Sequence, residues 1–292
     1  MKSNFLVLVF LVSFSPFVAA QSLLDKLNNE PQTTDNFTMS TFKATRISIG
    51  HSVETRKKNT LEFSLMTRYW NTESSTGQSF IADRMSARVG IDYGISDRFT
   101  IGVGFGFGNP NGIADTFIKY RLLRQTDDNR NPFSISLLQT ATYRTQRLNG
   151  IIFRGTTTDK LAFTTQALIA RKFTRDLSLQ IAPTFIHRGS SRSPLDDHNH
   201  FAMGFGVRYK LSYHVSLVSE YYYLANELES RKTYGAFALG ANWEVGSMLL
   251  QFKMTNNPMF NEDTFITQTF NNFNFDDGNF FFGFHATYHL QL

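Results

Sequence analysis

The feature that most constrains the fold is a two-residue alternation of apolar with small or polar side chains, which starts near residue 42. It is clearest at 99–107, where five apolar residues point to one side and Thr100 and three glycines point to the other. A period of two is that of a β-strand, whose successive side chains lie on opposite faces. The pattern predicts thirteen strand segments, at about 42–50, 60–70, 81–95, 98–107, 115–124, 133–146, 160–173, 177–188, 200–211, 215–225, 234–245, 247–255 and 280–292.

Two properties of these segments favour a membrane barrel over a soluble β-sandwich, which also alternates. Most of them are ten residues or longer, whereas globular strands average about five or six and a tilted membrane strand needs about 9–11. Glycine on the polar face weakens an exposed strand but leaves room for large charged neighbours inside a barrel. We predict an all-β, antiparallel transmembrane β-barrel of about 12 strands, within a range of about 10–14, with short periplasmic turns and longer outer loops.

The count of thirteen conflicts with this fold, because two termini on the periplasmic side require an even number of strands. The segment 42–50 alternates worst, with Arg46 between Thr45 and Ile47. We therefore expect residues 42–52 to lie partly inside the barrel or along its periplasmic rim. The connection 125–132 is long for a periplasmic turn, and 108–114 is short for an outer loop.

The first residues carry an export signal. Lys2 precedes an apolar run at 5–12, and Val18-Ala19-Ala20 matches the small-residue pattern that a signal peptidase cleaves. The apolar run is too short for a spanning helix, which needs about 20 residues. We predict a signal peptide over 1–20, a flexible periplasmic lead-in over 21–41, and a single outer-membrane barrel domain over 42–292.

The last strand has the pattern that the outer-membrane assembly machinery reads. Its apolar face is aromatic-rich and the sequence ends on that strand at Leu292, where phenylalanine is usual. The expected partners are therefore outer-membrane lipid and this machinery, and the expected location is the cell outer membrane. The net charge of +5 does not indicate nucleic acid, because the basic residues are spread along the chain rather than clustered.

Several stretches resemble an uncharacterised outer-membrane β-barrel family of Bacteroidota. They are Thr41 to Ile47, His51 to Glu54, Leu61 to Phe63, Tyr93 to Arg98 and Lys119 to Leu123. The resemblance covers most of the chain after the signal peptide. It implies a barrel in the outer membrane and assigns no activity, site residue, cofactor or partner.

The face opposite the apolar one defines the candidate lumen. Its basic positions are Arg68, Arg84, Arg88, Lys119, Arg121, Arg144, Lys172, Arg208, Lys210 and Lys253, and its acidic positions are Glu62, Asp92, Glu220 and Glu244. Ten bases against four acids predict a basic lumen, and a pore lined by Arg and Lys favours anions. The alternative is that these charges pair, for example Glu62 with Arg68 or Arg84, and fill a small barrel.

The sequence predicts no catalytic, metal or cofactor site. It has no cysteine and no Gly-x-Ser-x-Gly nucleophile motif. His187 and His214 fall on opposite rims, and His285 and His289 are about 13 Å apart along one strand. The loop Pro194–His200 holds two Asp and two His, but that spacing alone is typical of a solvated loop.

Three functions follow in order. The first is a porin-like channel for small anionic or polar solutes. The second is a barrel that transports nothing and presents its outer loops to a partner, and a distant third is an outer-membrane enzyme. The longest connection, 256–279, includes a stretch suited to a short helix. Folding into the mouth, binding a ligand or partner, and packing on the rim all remain open for it.

Overall fold

The computed structural model describes residues 37–39, 41–70, 82, 84–108, 112–145, 156–191, 193–274 and 280–292. The predicted signal peptide and residues 21–36 of the lead-in lie outside this part of the chain. Within it are twelve β-strands, one 3-10 turn at Thr158–Lys160 and one helix, α1, at Glu262–Thr267. The strands are β1 Thr60–Trp70, β2 Arg84–Ser96, β3 Phe99–Gly108, β4 Ile113–Leu123, β5 Ser134–Arg144, β6 Leu161–Lys172, β7 Leu177–Arg188, β8 Asn199–Lys210, β9 Val215–Leu224, β10 Ala236–Val245, β11 Met248–Thr255 and β12 Phe281–Gln291.

The strands form a closed antiparallel barrel, as the alternation predicted. Each strand pairs with its neighbours in sequence, and β1 also pairs with β12, so that Leu61 lies between Tyr93 and Leu290. Closure satisfies every strand edge, which is why barrels can cross a membrane. The expectation of about twelve strands is confirmed, and 42–50 is not one of them.

The connections divide the barrel into two ends. The turn end carries 97–98, 124–133, 173–176, 211–214 and 246–247, together with the C-terminus. The loop end carries 71–83, 109–112, 145–160, 189–198, 225–235 and 256–280. The long connection at the turn end is attached to the start of the described chain, because Thr126 pairs with Phe37 and the Gln125 carbonyl accepts from the Thr38 amide at 2.9 Å.

The outer face of the barrel is apolar. Large hydrophobic side chains such as Phe63, Val103 and Phe252 point outward and are 43%, 57% and 50% exposed. A soluble fold would bury such residues, whereas lipid is their natural surrounding in a barrel. Across the described ranges, no helix is both long enough and apolar enough to span a bilayer.

The inner face surrounds a folded segment of the chain itself. Residues 41–56, called the plug from here on, are mostly buried and turn back on themselves, with the Ser52 amide donating to Thr45 O at 2.9 Å. Side chains that hydrogen-bond to the plug come from strands all around the barrel: Glu62, Lys119, Ser136, Gln180, Glu220, Gln251 and Lys253. Only a segment inside the barrel can contact all of these strands.

Helix α1 enters the interior from the loop end. All six of its residues are buried, and it contacts β6, β7 and β9. The connection 256–280 therefore contains the short helix that its sequence suggests and folds into the mouth, the first of the three roles left open for it. Plug and helix together occupy the interior from opposite ends.

Candidate functional site in the barrel interior

The tip of the plug is bound by a single carboxylate of the wall. Glu220 Oε2 accepts hydrogen bonds from the backbone amides of Ser48, Ile49 and Gly50, at 2.7, 2.5 and 3.1 Å. Successive amides that converge on one anion form a nest. A β-carbon on Gly50 would lie 2.8 Å from Cζ of Tyr222, so this approach requires glycine.

Two lysines of the wall bind carbonyl oxygens of the plug. Lys119 Nζ donates to the carbonyls of Thr45, Ser52 and Glu54, at 3.0, 2.9 and 3.1 Å. Lys253 Nζ donates to the carbonyl of Ser48. A buried ammonium group requires several acceptors to replace its hydration, and the plug backbone supplies those of Lys119.

Neutral side chains complete this pattern. Gln180 accepts from the Val53 amide and donates to the His51 carbonyl, both at 2.8 Å. Gln251 donates to Ile47 O at 2.8 Å, and Ser136 donates to Val53 O at 2.6 Å. The wall thus binds the plug largely through the plug's main chain.

Apolar side chains of the plug fill the remaining space. Phe42, Ile47 and Val53 lie in one buried cluster with Phe117 and Leu138 of the wall. Ile49 lies in a second cluster, which also holds Phe265 and Ile266 of α1. The seated plug therefore combines polar contacts from its backbone with apolar contacts from its side chains.

The plug and the loop-end helix meet at an ion pair. Arg46 Nη1 lies 2.9 Å from Glu262 Oε1, and both side chains are at most 5% exposed. His51 Nε2 lies 3.7 Å from the same oxygen. Burial, followed by the charges of Arg46, Lys119 and Arg88, holds the pKa of His51 well below its usual value, and burial raises the pKa of Glu262.

The rest of α1 is fastened to the wall. Asp263 Oδ2 lies 2.5 Å from Arg144 Nη2, and Thr267 Oγ1 accepts from Arg188 at 2.8 Å. Glu262 thus belongs to a helix that the wall holds in place, and its contact with Arg46 ties the plug to this fixed element.

The residues predicted to line the lumen occupy three settings. Nine are buried in the interior: Arg68, Arg88, Lys119, Arg144, Arg208, Lys253, Glu62, Asp92 and Glu220. Arg121, Lys172, Lys210 and Glu244 lie at the turn end and are partly exposed, and Arg84 is exposed at the loop end of β2. The structure brings the first group together around the plug and leaves Arg84 away from it.

The pairing of these charges differs from the sequence-based expectation. Glu62 contacts neither Arg68 nor Arg84 as an ion pair; its carboxylate lies beside Arg56 of the plug and 3.2 Å from His289 Nδ1. Arg88 pairs with Asp115, Nη2 to Oδ1, at 2.5 Å. The plug supplies partners that no strand-to-strand argument could include.

Sequence reasoning missed several members of this site. Asp115 shares the inward parity of Lys119 in β4, so the alternation could have identified it. Arg46, Arg56, Glu262 and Asp263 lie outside the strands, where a two-residue period assigns no face. No local signal marks them.

The histidines and acids considered for chemistry are engaged in structural contacts. His187 Nδ1 is 2.8 Å from Asn199 Oδ1, and His198 Nδ1 is 2.6 Å from the Arg188 carbonyl oxygen. Asp196 accepts from the Ser230 amide and hydroxyl. In the ranges for which coordinates are described, no three His, Cys, Asp or Glu residues are grouped as metal ligands.

The fold and its filled interior define the chain as a membrane β-barrel with an internal plug. It belongs to the family described as "Membrane bound beta barrel domain (DUF5777)", whose model matches residues 42–290. The match begins within the plug, so the plug is part of the family's domain.

Solved structures with a similar fold are porins and channels. The COG4313 outer membrane channel from Pseudomonas putida F1 aligns with a TM-score of 0.51 and 13% identity, over 82% of this chain and 98% of that one. A KdgM porin in complex with disordered oligogalacturonate has a TM-score of 0.49 at 8% identity, over 78% and 98% of the two chains. A NanC porin has a TM-score of 0.48 at 8% identity, over 80% and 100%. No curated protein matches the sequence.

Proposed function

We propose that this protein is an outer-membrane channel for small anionic or polar solutes, and that the plug closes it. The observation that carries the proposal is how the plug is bound. Three amides on Glu220 and three carbonyls on Lys119 are polar contacts that water can replace. A hydrogen bond exchanged for water changes the free energy by only about 0.5–1.5 kcal/mol.

The charge of the wall supports an anionic or polar solute. The positions named from the sequence hold more bases than acids, and the excess persists when Arg188 and Asp115 are included. Release of the plug would free the ammonium groups of Lys119 and Lys253 from its carbonyls. Basic rings of this kind favour anions in pores.

Conductance of the barrel without its plug tests the proposal. We expect a variant that lacks residues 37–56 to conduct in planar bilayers, while the full chain opens rarely. Heat-modifiable migration on gels would verify that the variant still forms a barrel. A correctly folded, plug-deleted barrel that does not conduct would overturn the channel.

A disulfide lock provides a second, reversible test. The chain has no cysteine, so an introduced pair has no competitor. A β-carbon on Gly206 would lie 3.8 Å from Cγ1 of Ile47, near the spacing that a disulfide needs. Ile47→Cys with Gly206→Cys should abolish opening when oxidised and restore it when reduced, and each single variant is the control.

Ion selectivity tests the solute class separately. In the plug-deleted barrel, Lys119→Glu with Lys253→Glu should shift the reversal potential toward cations. Arg175→Glu, at an exposed turn, adds the same type of charge outside the lumen. An equal shift in both variants would remove the lumen from the explanation.

The filled interior also favours the alternative, a barrel that transports nothing and presents its loops to a partner. The plug and α1 meet inside it at the buried pair of Arg46 and Glu262. The same bilayer experiment separates the two functions, since this alternative expects a silent barrel without its plug.

The proposed location also has direct tests. The apolar outer face would contact outer-membrane lipid, and the aromatic-rich last strand would be recognised by the assembly machinery. After cell fractionation, we expect the protein in the outer membrane. Recovery from the soluble periplasm without detergent would contradict this.

A further inference from the structure

A cavity of about 700 Å³ lies at the turn end, between the plug and the wall. Its volume is within the range of about 300–1,000 Å³ that is typical of small-molecule sites. The plug contributes Lys43, Arg56 and Lys57 to its lining, and the wall contributes Arg121, Arg124 and His289.

The acids of this cavity are already engaged. Glu54 Oε2 pairs with Arg121 at 3.2 Å, and its Oε1 accepts from the Phe42 amide at 3.3 Å. Asp97 Oδ1 accepts from the Lys58 amide at 2.9 Å. The lining therefore has five Lys or Arg side chains and only two carboxylates.

Two of the cations retain capacity for a ligand. Within the described part of the chain, neither Lys57 nor Arg124 forms an ion pair with a carboxylate. Arg124 stacks over the ring of Phe37 at 4.9 Å, which orients its guanidinium and leaves its N–H groups at the plane's edge. Guanidinium and ammonium groups prefer carboxylate and phosphate oxygens.

We propose that this cavity binds a small polyanion, bearing carboxylate or phosphate groups, from the turn-end side, and that binding holds the plug in its seat. The second half follows from the lining, since Lys57 moves with the plug and Arg124 stays with the wall. The complete site exists only while the plug is seated, so an anion that occupies it stabilises the closed state. The proposal rests on the channel function and assigns its regulation.

Titration calorimetry on the full refolded chain tests binding, with citrate and inorganic phosphate as probes at matched ionic strength. We expect saturable binding, weakened about tenfold by Lys57→Gln or Arg124→Gln because each removes one charge-assisted contact. Arg175→Gln, at the same end but outside the cavity, should leave the affinity within about twofold. No saturable binding, or equal weakening by the control, would overturn the site.

Accessibility of a plug thiol tests the coupling. Ser48 is buried, and its hydroxyl has no hydrogen-bond partner among the described residues, so Ser48→Cys is a mild probe. Saturating citrate should slow maleimide labelling of this cysteine at least fivefold, and the effect should vanish when Lys57→Gln and Arg124→Gln are added. Unchanged or faster labelling with citrate bound would overturn the regulatory role.

The two proposals fail separately. A plug-deleted barrel that stays silent, while citrate still binds and protects the thiol, would refute the channel and retain the anion site. A conducting plug-deleted barrel, with a full chain that binds neither probe, would retain the channel and refute the site.

Discussion

Glu262→Gln should release the plug, because it breaks the one described ion pair between the plug and α1. The pair with Arg46 is 2.9 Å long and at most 5% exposed. Removing one partner of a buried pair costs about 3–5 kcal/mol, because the other charge stays buried alone. Glutamine keeps an oxygen that accepts from Arg46, so we take about 3 kcal/mol, which corresponds to about a hundredfold more released plug.

The readout is the maleimide labelling rate of Ser48→Cys in lipid vesicles. When the plug reseats faster than the reagent reacts, this rate follows the released fraction. Glu262→Gln should raise the rate about a hundredfold. Asp128→Asn, which removes a carboxylate from the exposed pair with Arg130, should leave it unchanged.

Arg46→Met completes a double-mutant cycle. If the pair acts as a unit, Arg46→Met combined with Glu262→Leu should label more slowly than Glu262→Gln alone, because no buried charge then lacks its partner. A rate for Glu262→Gln within about twofold of the parent would refute the reasoning, since the ion pair would then contribute nothing to the seat.

Three further predictions concern other parts of the molecule. The seat should weaken in acid: the pKa of His51 is lowered in the seated plug and returns to about 6.5 on release, so its contribution is complete above about pH 6.5 and is lost as the pH falls below that. Labelling, normalised to a free thiol, should therefore rise up to tenfold per pH unit below about 6.5, and His51→Gln should flatten this rise; Glu262, with its raised pKa, acts in the opposite direction, so an unchanged slope in His51→Gln would assign the effect elsewhere. Phe252→Arg on the outer face should cost about 2–4 kcal/mol in urea unfolding from vesicles, against under about 1.5 for Phe252→Leu, and equal costs would place this residue outside the hydrocarbon layer. Mass spectrometry of the exported protein should find Gln21 as its first residue, and an intact Met1 would refute the predicted signal peptide.

The barrel could be predicted because its determinants are local. In β3, five outward apolar residues against glycines and Thr100 define both faces without reference to any other strand. The even strand number then singled out 42–50 as the segment that does not belong to the wall. Its poor alternation at Arg46 has a physical cause, since that side chain points to α1 and the backbone bonds to wall side chains rather than to a neighbouring strand.

The interior contacts could not be predicted because their determinants are distant. Glu220 is 170 residues or more from the amides that it binds, and nothing near it in sequence marks that role. Glu62 could be placed on the inward face, but its partner Arg56 belongs to a segment with no assigned face. Alternation states which way a side chain points and not what stands opposite it.

The way the wall binds the plug has a consequence for its sequence requirements. Glu220, Lys119, Gln180 and Gln251 address amides and carbonyls, which every residue except proline offers alike. A peptide with residues 41–56, supplied separately to a plug-deleted barrel, should therefore act as a reversible blocker. Many of its exposed-contact side chains could be exchanged while Gly50 is kept, so such peptides offer a route to synthetic blockers of different chemistry for one barrel.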